Sequence, residues 1–429
     1  MKVCKRLLQL LAISLAAGTA ASAQETKPDI VFAFHGILGG SLYYQDSILA
    51  PGNGEQSWFV AKMAPTHKSL VGGDVRQSRF NMSLSGPKIF GGAVPKGFVE
   101  IDFSNNAGPG TYGDVSIIPR LRHAYAELNW GNTAIRFGQD HELLIGSSPW
   151  APPAGPTSVG HIGYPLVYEA GAVGWREPSF AIYQKIPDVF GQGGNLEFAA
   201  MVLRSQWRAP VLNVYGPGAT AGSLVVVGQV PDWSTATSAG EPSGLPGVEA
   251  RIQAVGPTFR LGVAGHWNRV HRAGFGTPET AALTDLTVAA VEGGAKLVLG
   301  PVTLQGGAYA GQNLAPLLGA LLQFQADTTT TDITEIGGWA QAGFYLTPEI
   351  SIWGLGGTSK PSGDDVRAAK MTRLQNTVVS GMLKYQDGGY AIGLEYAHWH
   401  TRTTVAVPVL APDGNLDGNQ GMLSGFYFF

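Results

Sequence analysis

Apolar and polar side chains alternate strictly through the segment Gln77 to Ser85: Phe80, Met82 and Leu84 fall on one face, and Arg79, Asn81, Ser83 and Ser85 on the other. A period of two predicts a β-strand with one apolar face. The pattern returns along the chain. Val99, Ile101 and Phe103 oppose Glu100 and Asp102; Ala124, Ala126, Leu128 and Trp130 oppose His123, Tyr125, Glu127 and Asn129; Val248, Ala250, Ile252 and Ala254 oppose Glu249, Arg251 and Gln253. Phe259, Leu261, Val263 and Trp267 oppose Arg260, His266 and Asn268; Thr377, Val379, Leu383 and Tyr385 oppose Asn376, Ser380 and Lys384; Ile392, Leu394 and Tyr396 oppose Glu395. Leu286 to Leu299 and Ile350 to Gly357 alternate less cleanly.

The breaks between these segments alternate in length. Gly131-Asn132, Gly256-Pro257, Gly300-Pro301, Thr347-Pro348 and Asp387-Gly388-Gly389 have the chemistry of tight turns. Between them lie long polar or Gly/Pro-rich stretches: 45–76, 104–119, 140–175, 206–246, 271–284, 313–335, 358–373 and 403–418. Short periplasmic turns and long extracellular loops are what a transmembrane up-and-down barrel requires. The expectation is therefore an all-β, antiparallel transmembrane β-barrel of about 16 strands, with both termini in the periplasm and an interior wide enough to hold water. Trp130, Trp267, Tyr385, Tyr390 and Trp399 stand near strand ends, where interfacial girdles are built.

Composition agrees with a strand-built membrane protein. Charged residues make up only 14% of the chain and glycine numbers 60, while the hydrophobic share is an ordinary 44%. No mature segment is apolar for the roughly 18 residues that a spanning helix needs. Residues 1–23 read as a cleavable export signal, with Lys2, Lys5 and Arg6 ahead of an apolar run and Ala21-Ser22-Ala23 as the cleavage site. The remaining domain, 24–429, has no cysteine, since the only one is Cys4. Loss of the three basic residues moves the net charge from −3 to −6, which disfavours nucleic acid as a partner.

The chain ends Gly425-Phe426-Tyr427-Phe428-Phe429. Phe429, with Tyr427 and Gly425 on its face, resembles the terminal signal that outer-membrane barrels present to their assembly machinery. Arg76-Gln77-Ser78-Arg79-Phe80, the run Leu121 to Leu128, Phe137-Gly138-Gln139 and Arg373-Leu374-Gln375-Asn376 together resemble the DcaP-like porins. That resemblance implies a trimeric outer-membrane channel for dicarboxylates and other small organic anions, embedded in lipid and lipopolysaccharide and needing no cofactor. The sequence departs from the family in having only Gln24 to Pro28 before the first strand, where a coiled-coil segment is common. It also has Asp140-His141-Glu142 where a small polar residue and an aromatic are usual.

Selectivity in a channel rests on the inward side chains. The alternation places Arg79, Arg136, Arg251, Arg260 and Lys384 there as bases, and Glu100, Asp102, Glu127, Glu249 and Glu395 as acids. Five against five gives no net sign. Glu249 and Arg251 lie across a tight turn from Arg260, a spacing that suggests cross-strand ion pairs. Arg120 and Arg122 would both face lipid if alternation were regular, so they are expected at the extracellular rim. The loop 140–175 is a candidate constriction, carrying His141, Glu142, His161 and Glu169; no second ligand stands at helical or turn spacing from either histidine, which disfavours a metal site. His35 to Gly40 is similar to an esterase oxyanion run, but no G-x-S-x-G sequence accompanies it, so no catalytic residue is expected. The competing reading is a non-conducting surface barrel, adhesin-like, with loops that plug the lumen. Loops rich in Gly, Pro, Ala and Thr rather than aromatics count against it.

Overall fold

The computed structural model describes residues 30–63, 69–109, 115–153, 155–163, 165–205, 243–271, 285–323, 331–369, 371–404 and 414–429. The expected export signal 1–23 and most of the loops 206–246, 271–284 and 403–418 lie outside the described residues. Among the described residues nineteen strands occur, in chain order β1 (Val31–Gln45), β2 (Ser47–Pro51), β3 (Ser57–Met63), β4 (Leu70–Asp74), β5 (Arg79–Ser85), β6 (Val94–Pro109), β7 (Val115–Asn129), β8 (Thr133–His141), β9 (Arg176–Ile186) and β10 (Asn195–Leu203). Then follow β11 (Gly247–Val255), β12 (Phe259–His271), β13 (Asp285–Leu299), β14 (Val302–Gln312), β15 (Thr334–Tyr345), β16 (Ile350–Pro361), β17 (Arg373–Asp387), β18 (Tyr390–Thr403) and β19 (Asn415–Phe428).

These strands form a closed 16-stranded antiparallel barrel. Each pairs with its sequence neighbour, except that β2 and β3 form a separate hairpin and β4 and β5 share one wall position. Both halves pair with β1: β5 along Val31 to Ile37, and β4 along Ser41 to Gln45. The other edge of β1 meets β19 over nine residues, from Ile37↔Phe428 to Gln45↔Gln420. Among the described residues closure leaves no barrel strand with an unpaired edge, which hydrocarbon would penalise by several kcal/mol per orphaned backbone group.

The outer face is apolar where the alternation predicts it. Met82, Leu84, Ile252, Leu261, Val263, Val379, Leu383, Ile392 and Leu394 are exposed on the wall. Trp130, Trp267, Tyr385 and Tyr390 are also exposed on it. Trp399 is not: it is 0% exposed and points into the lumen. It packs with Leu49, Val60, Leu166, Val167, Trp339, Leu355, Val378 and Leu416, a cluster shared by strand faces and inward-folded loops.

That cluster explains the segments that alternate poorly. In β16 Trp353 and Leu355 face inward while Ile352 faces out, so both faces are apolar. In β13 Leu286, Val288 and Ala290 face inward onto Leu314 and Leu317 of the loop 313–333. Glycine is needed opposite several inward aromatics. A Cβ on Gly343 would lie 2.3 Å from the Trp353 ring and one on Gly337 2.5 Å from the Tyr309 ring.

Two stretches expected as loops are otherwise. The ladder of β6 and β7 runs on through 104–109 and 115–119 with two register shifts beyond Asp102, which a two-stranded ribbon tolerates because no third strand must keep step. Within 45–76 lie the β2–β3 hairpin and the strand β4. A helical turn, α1 (Gly363–Ala368), also appears where none was expected; Asp364 and Asp365 sit in its first turn and the Ser362 hydroxyl accepts from the Asp365 amide at 3.4 Å.

Candidate functional site: a loop-lined lumen

Register places all ten candidate charges on the inner face. Arg79 lies opposite Asp102, Glu127 opposite Arg136, and Arg251 one pair from Glu249 on β11. Arg260 faces the lumen beside Gln253, and Lys384 and Glu395 flank the inward Met382.

The third long loop, L3 (142–175), folds into the barrel and touches the wall around its inner circumference. Glu249 accepts from the Leu143 amide at 2.5 Å. Arg251 donates to the carbonyls of Leu143 and Ser147, and Arg260 to those of Gly146 and Pro152. Farther round, Gln341 of β15 exchanges two hydrogen bonds with the backbone of Thr157, at 2.7 and 2.9 Å. Glu395 of β18 accepts from the Ser158 hydroxyl and from the amides of Val159 (3.3 Å) and Gly160 (2.7 Å). Arg79 of β5 donates to the Ile162 carbonyl at 3.2 Å. The loop returns past Ser359 of β16, which accepts from the Gly171 amide. Charge-assisted bonds to backbone groups thus hold the loop on strands from opposite sides of the barrel.

These contacts correct the expected pairing across the β11–β12 turn. Glu249 pairs with His266 at 2.8 Å, while Arg251 and Arg260 reach loop carbonyls and Gln253. His161 is buried, with Nδ1 3.9 Å from the Glu395 carboxylate.

On the β5–β9 wall the ionic network is denser. Arg122 donates Nε to Glu100 at 2.6 Å and Nη1 to Asp102 at 2.8 Å. Arg120 makes a two-pronged contact with Asp102 at 3.0 and 2.7 Å, and Arg79 stands 3.7 Å from Glu100. Arg122 is therefore an interior residue, 5% exposed, and not a rim residue. A bulge does this: Glu100 faces His123 but Ile101 faces Leu121, so Arg122 is the extra residue and turns inward beside His123. Arg136 bridges Glu127 and Asp140, and its guanidinium lies 4.2 Å from the Tyr125 ring centre.

Below L3, toward the short turns, the charges on the inner strand faces are mostly basic, although the inward face of β13 also carries the half-buried Glu292. Lys96, Lys185, Arg260 and Lys384 are half-buried and Lys296 is exposed. Lys296 pairs directly with Arg260, and Lys185 Nζ lies 5.1 Å over the Trp150 ring of L3, so both point inward. The wall acids Glu100, Asp102, Glu127, Asp140, Glu197, Glu249 and Glu395 are all buried, bonded to arginines, to loop amides or to neighbouring side chains. Lys96, Lys185 and Lys296 were not among the sequence candidates. Inward parity was available for Lys185 and Lys296, but not the fact that the carboxylates would be covered.

L3 carries carboxyls of its own. Burial, reinforced by Glu249, pushes the Glu142 carboxyl up to about 8. Burial and then Glu335 raise Glu169 well above the usual carboxylate range, against Arg373, which acts to lower it. Glu142 therefore adds less than a full negative charge to the lumen at neutral pH.

Among solved structures the fold recurs. The outer-membrane channel DcaP of Acinetobacter baumannii aligns with a TM-score of 0.62 at 15% identity, over 93% of this chain and 97% of that one. OmpF of Salmonella typhi, in a complex with daunomycin, aligns at 0.53 with 11% identity over 93% and 97%. OmpT of Vibrio cholerae in its trimer form aligns at 0.51 with 10% identity over 93% and 99%. No protein-family model matches the chain, and no curated protein matches it.

Proposed function

We propose that this 16-stranded barrel is an outer-membrane diffusion channel for small hydrophilic solutes that favours organic anions such as dicarboxylates. The observation that carries the reading is the sign of the accessible charge: below L3, Lys96, Lys185, Arg260, Lys296 and Lys384 face the lumen while the neighbouring carboxylates are covered. A ring largely of one sign in a low-dielectric wall focuses the field along the axis and raises the local concentration of counter-ions. Ammonium groups suit carboxylates as point charges, and the Arg260 guanidinium, bonded to the loop carbonyls and Gln253, adds its charge to the field.

The chain would be exported through the signal 1–23, leaving domain 24–429. Its last strand, with Gly425, Tyr427 and Phe429 on the outer face, would be the segment read by the barrel assembly machinery. The mature protein would stand among lipid and lipopolysaccharide as a homotrimer, a state supported by the trimer form of the OmpT barrel.

A second reading, a non-conducting surface barrel, is favoured by the apolar packing of three loops inside the lumen: Leu49 and Val60 from the first, Leu166 and Val167 from L3, and Leu314, Leu317 and Leu322 from 313–333. Liposomes loaded with impermeant sugar separate the two. A channel of the proposed kind admits succinate, and swells the vesicles, several-fold faster than a diamine of equal length. A plugged barrel admits neither, and equal rates for both would remove the anion preference.

A further inference from the structure

We propose that Glu142, Glu249 and His266 form a binding site for a divalent cation of zinc type, which would clamp the root of L3 to the barrel wall. Glu142 opens L3, Glu249 lies on β11, and His266 is its direct partner on β12. One donor atom from each lies within 4.8 Å of the others. Donors about 2.1 Å from a zinc ion stand about 3.4 Å apart in a tetrahedral shell, so small rotations of the two glutamates close the site.

The site is built from buried groups whose other hydrogen bonds come from backbone amides, Leu143 to Glu249 at 2.5 Å and Trp175 to Glu142 at 3.1 Å. Glu142 is 1% exposed, and Glu249 and His266 are each 4% exposed. Asp102 holds two arginines, whereas the only ion pair at Glu142 or Glu249 among the described residues is the His266 contact itself. Nδ1 of the imidazole faces Glu249 at 2.8 Å, so the ion would take the place of the proton that the two groups share. A third carboxylate, Glu292, stands near Glu249 with Oε2 buried and unpartnered. Carboxylate oxygens with an imidazole suit zinc, cobalt or manganese rather than a soft ion.

A second cluster, His123, Asp140 and His141, has similar spacing but a different field. Arg136 and Ser147 already bond Asp140, and the charges of Arg122 and Arg176 act on both histidines. A cation there would meet guanidinium groups, so this cluster is not the site. No spacing along the sequence marks either set, because the donors come from separate strands and a loop.

The test uses the full-length protein folded in detergent, stripped with chelator and checked for heat-modifiable migration. Zinc retained after gel filtration is measured by elemental analysis, and cobalt binding by its visible ligand-field bands. One ion per chain is expected, with at least tenfold weaker binding in H266Q and in E142Q. H123Q and the outer-face double variant H398Q/H400Q should bind as the parent does. E142Q alters a loop residue and keeps the test decisive if H266Q does not assemble. No retained zinc in the parent, or unchanged binding in E142Q, or loss in H123Q instead, would overturn the proposal.

Discussion

Phe429 and Gly36 close the barrel by exchanging backbone hydrogen bonds, Gly36 N–H to the Phe429 carbonyl at 3.0 Å and Phe429 N–H to the Gly36 carbonyl at 3.1 Å. The Phe429 ring covers Gly36 so closely that a Cβ there would lie 2.5 Å from a ring carbon and 2.9 Å from the Arg79 carbonyl. It also lies 5.8 Å from each of the Phe34 and Tyr427 rings. The terminal residue is thus a member of the seam.

Gly36→Val should therefore obstruct closure. The carbonyl oxygen of Arg79 belongs to the ladder and cannot yield as a side chain would, so an overpacking cost of about 1–3 kcal/mol is expected. The folded fraction, read as the heat-modifiable band after refolding, should fall several-fold. Gly425→Ala, at a position where an added Cβ meets nothing, should leave it unchanged.

Removing Arg122 should be the costliest change in the wall network. Its loss would leave Glu100 with Arg79 at 3.7 Å and strip one of two arginines from Asp102. Breaking a buried pair costs about 3–5 kcal/mol. Arg122→Gln should lower unfolding stability in urea by that order. Arg120→Gln, whose side chain is 29% exposed, should cost about 1 kcal/mol because Asp102 keeps Arg122. Equal effects in the two variants would contradict the bulge assignment.

How far could the sequence have led to this? Alternation carried the wall, because lipid and water impose opposite demands on successive side chains, and the ten candidate charges all follow that parity. It failed where the lumen is not water. Trp399 faces inward because the first loop and L3 cover it, and no local pattern marks a loop that folds back. It failed again at Arg122, where one bulged residue reverses the parity of all that follow. The role of L3 was legible only as a long loop after the fifth barrel strand; its anchors on Arg251, Gln341 and Glu395 lie more than 100 residues away.

Glu395 should control the motion of L3. It accepts two amides and a hydroxyl from Ser158 to Gly160, and Glu395→Gln removes the charge that strengthens these bonds. Open-channel current noise should rise several-fold with little change in mean conductance, and protease cleavage should appear within 155–163. Unaltered noise and protection would show that the loop is held elsewhere.

The first loop should loosen as pH rises. Burial and the neighbouring Asp74 push the Glu55 carboxyl up to about 8. A folded-state value raised above the unfolded one means that the folded form holds its proton longer. This contribution to stability is full below the unfolded value, near 4.5, and is lost as pH climbs through about 8. Hydrogen exchange across Ser47 to Lys62 should therefore accelerate above pH 8 beyond its intrinsic chemical rate. In Glu55→Gln the excess should vanish.

A cationic lumen sets the reversal potential of single channels in a potassium chloride gradient. The reversal should shift toward the chloride equilibrium potential, and less so when Lys96, Lys185, Lys296 and Lys384 are all replaced by glutamine. A reversal at zero, or one shifted toward potassium, would contradict it.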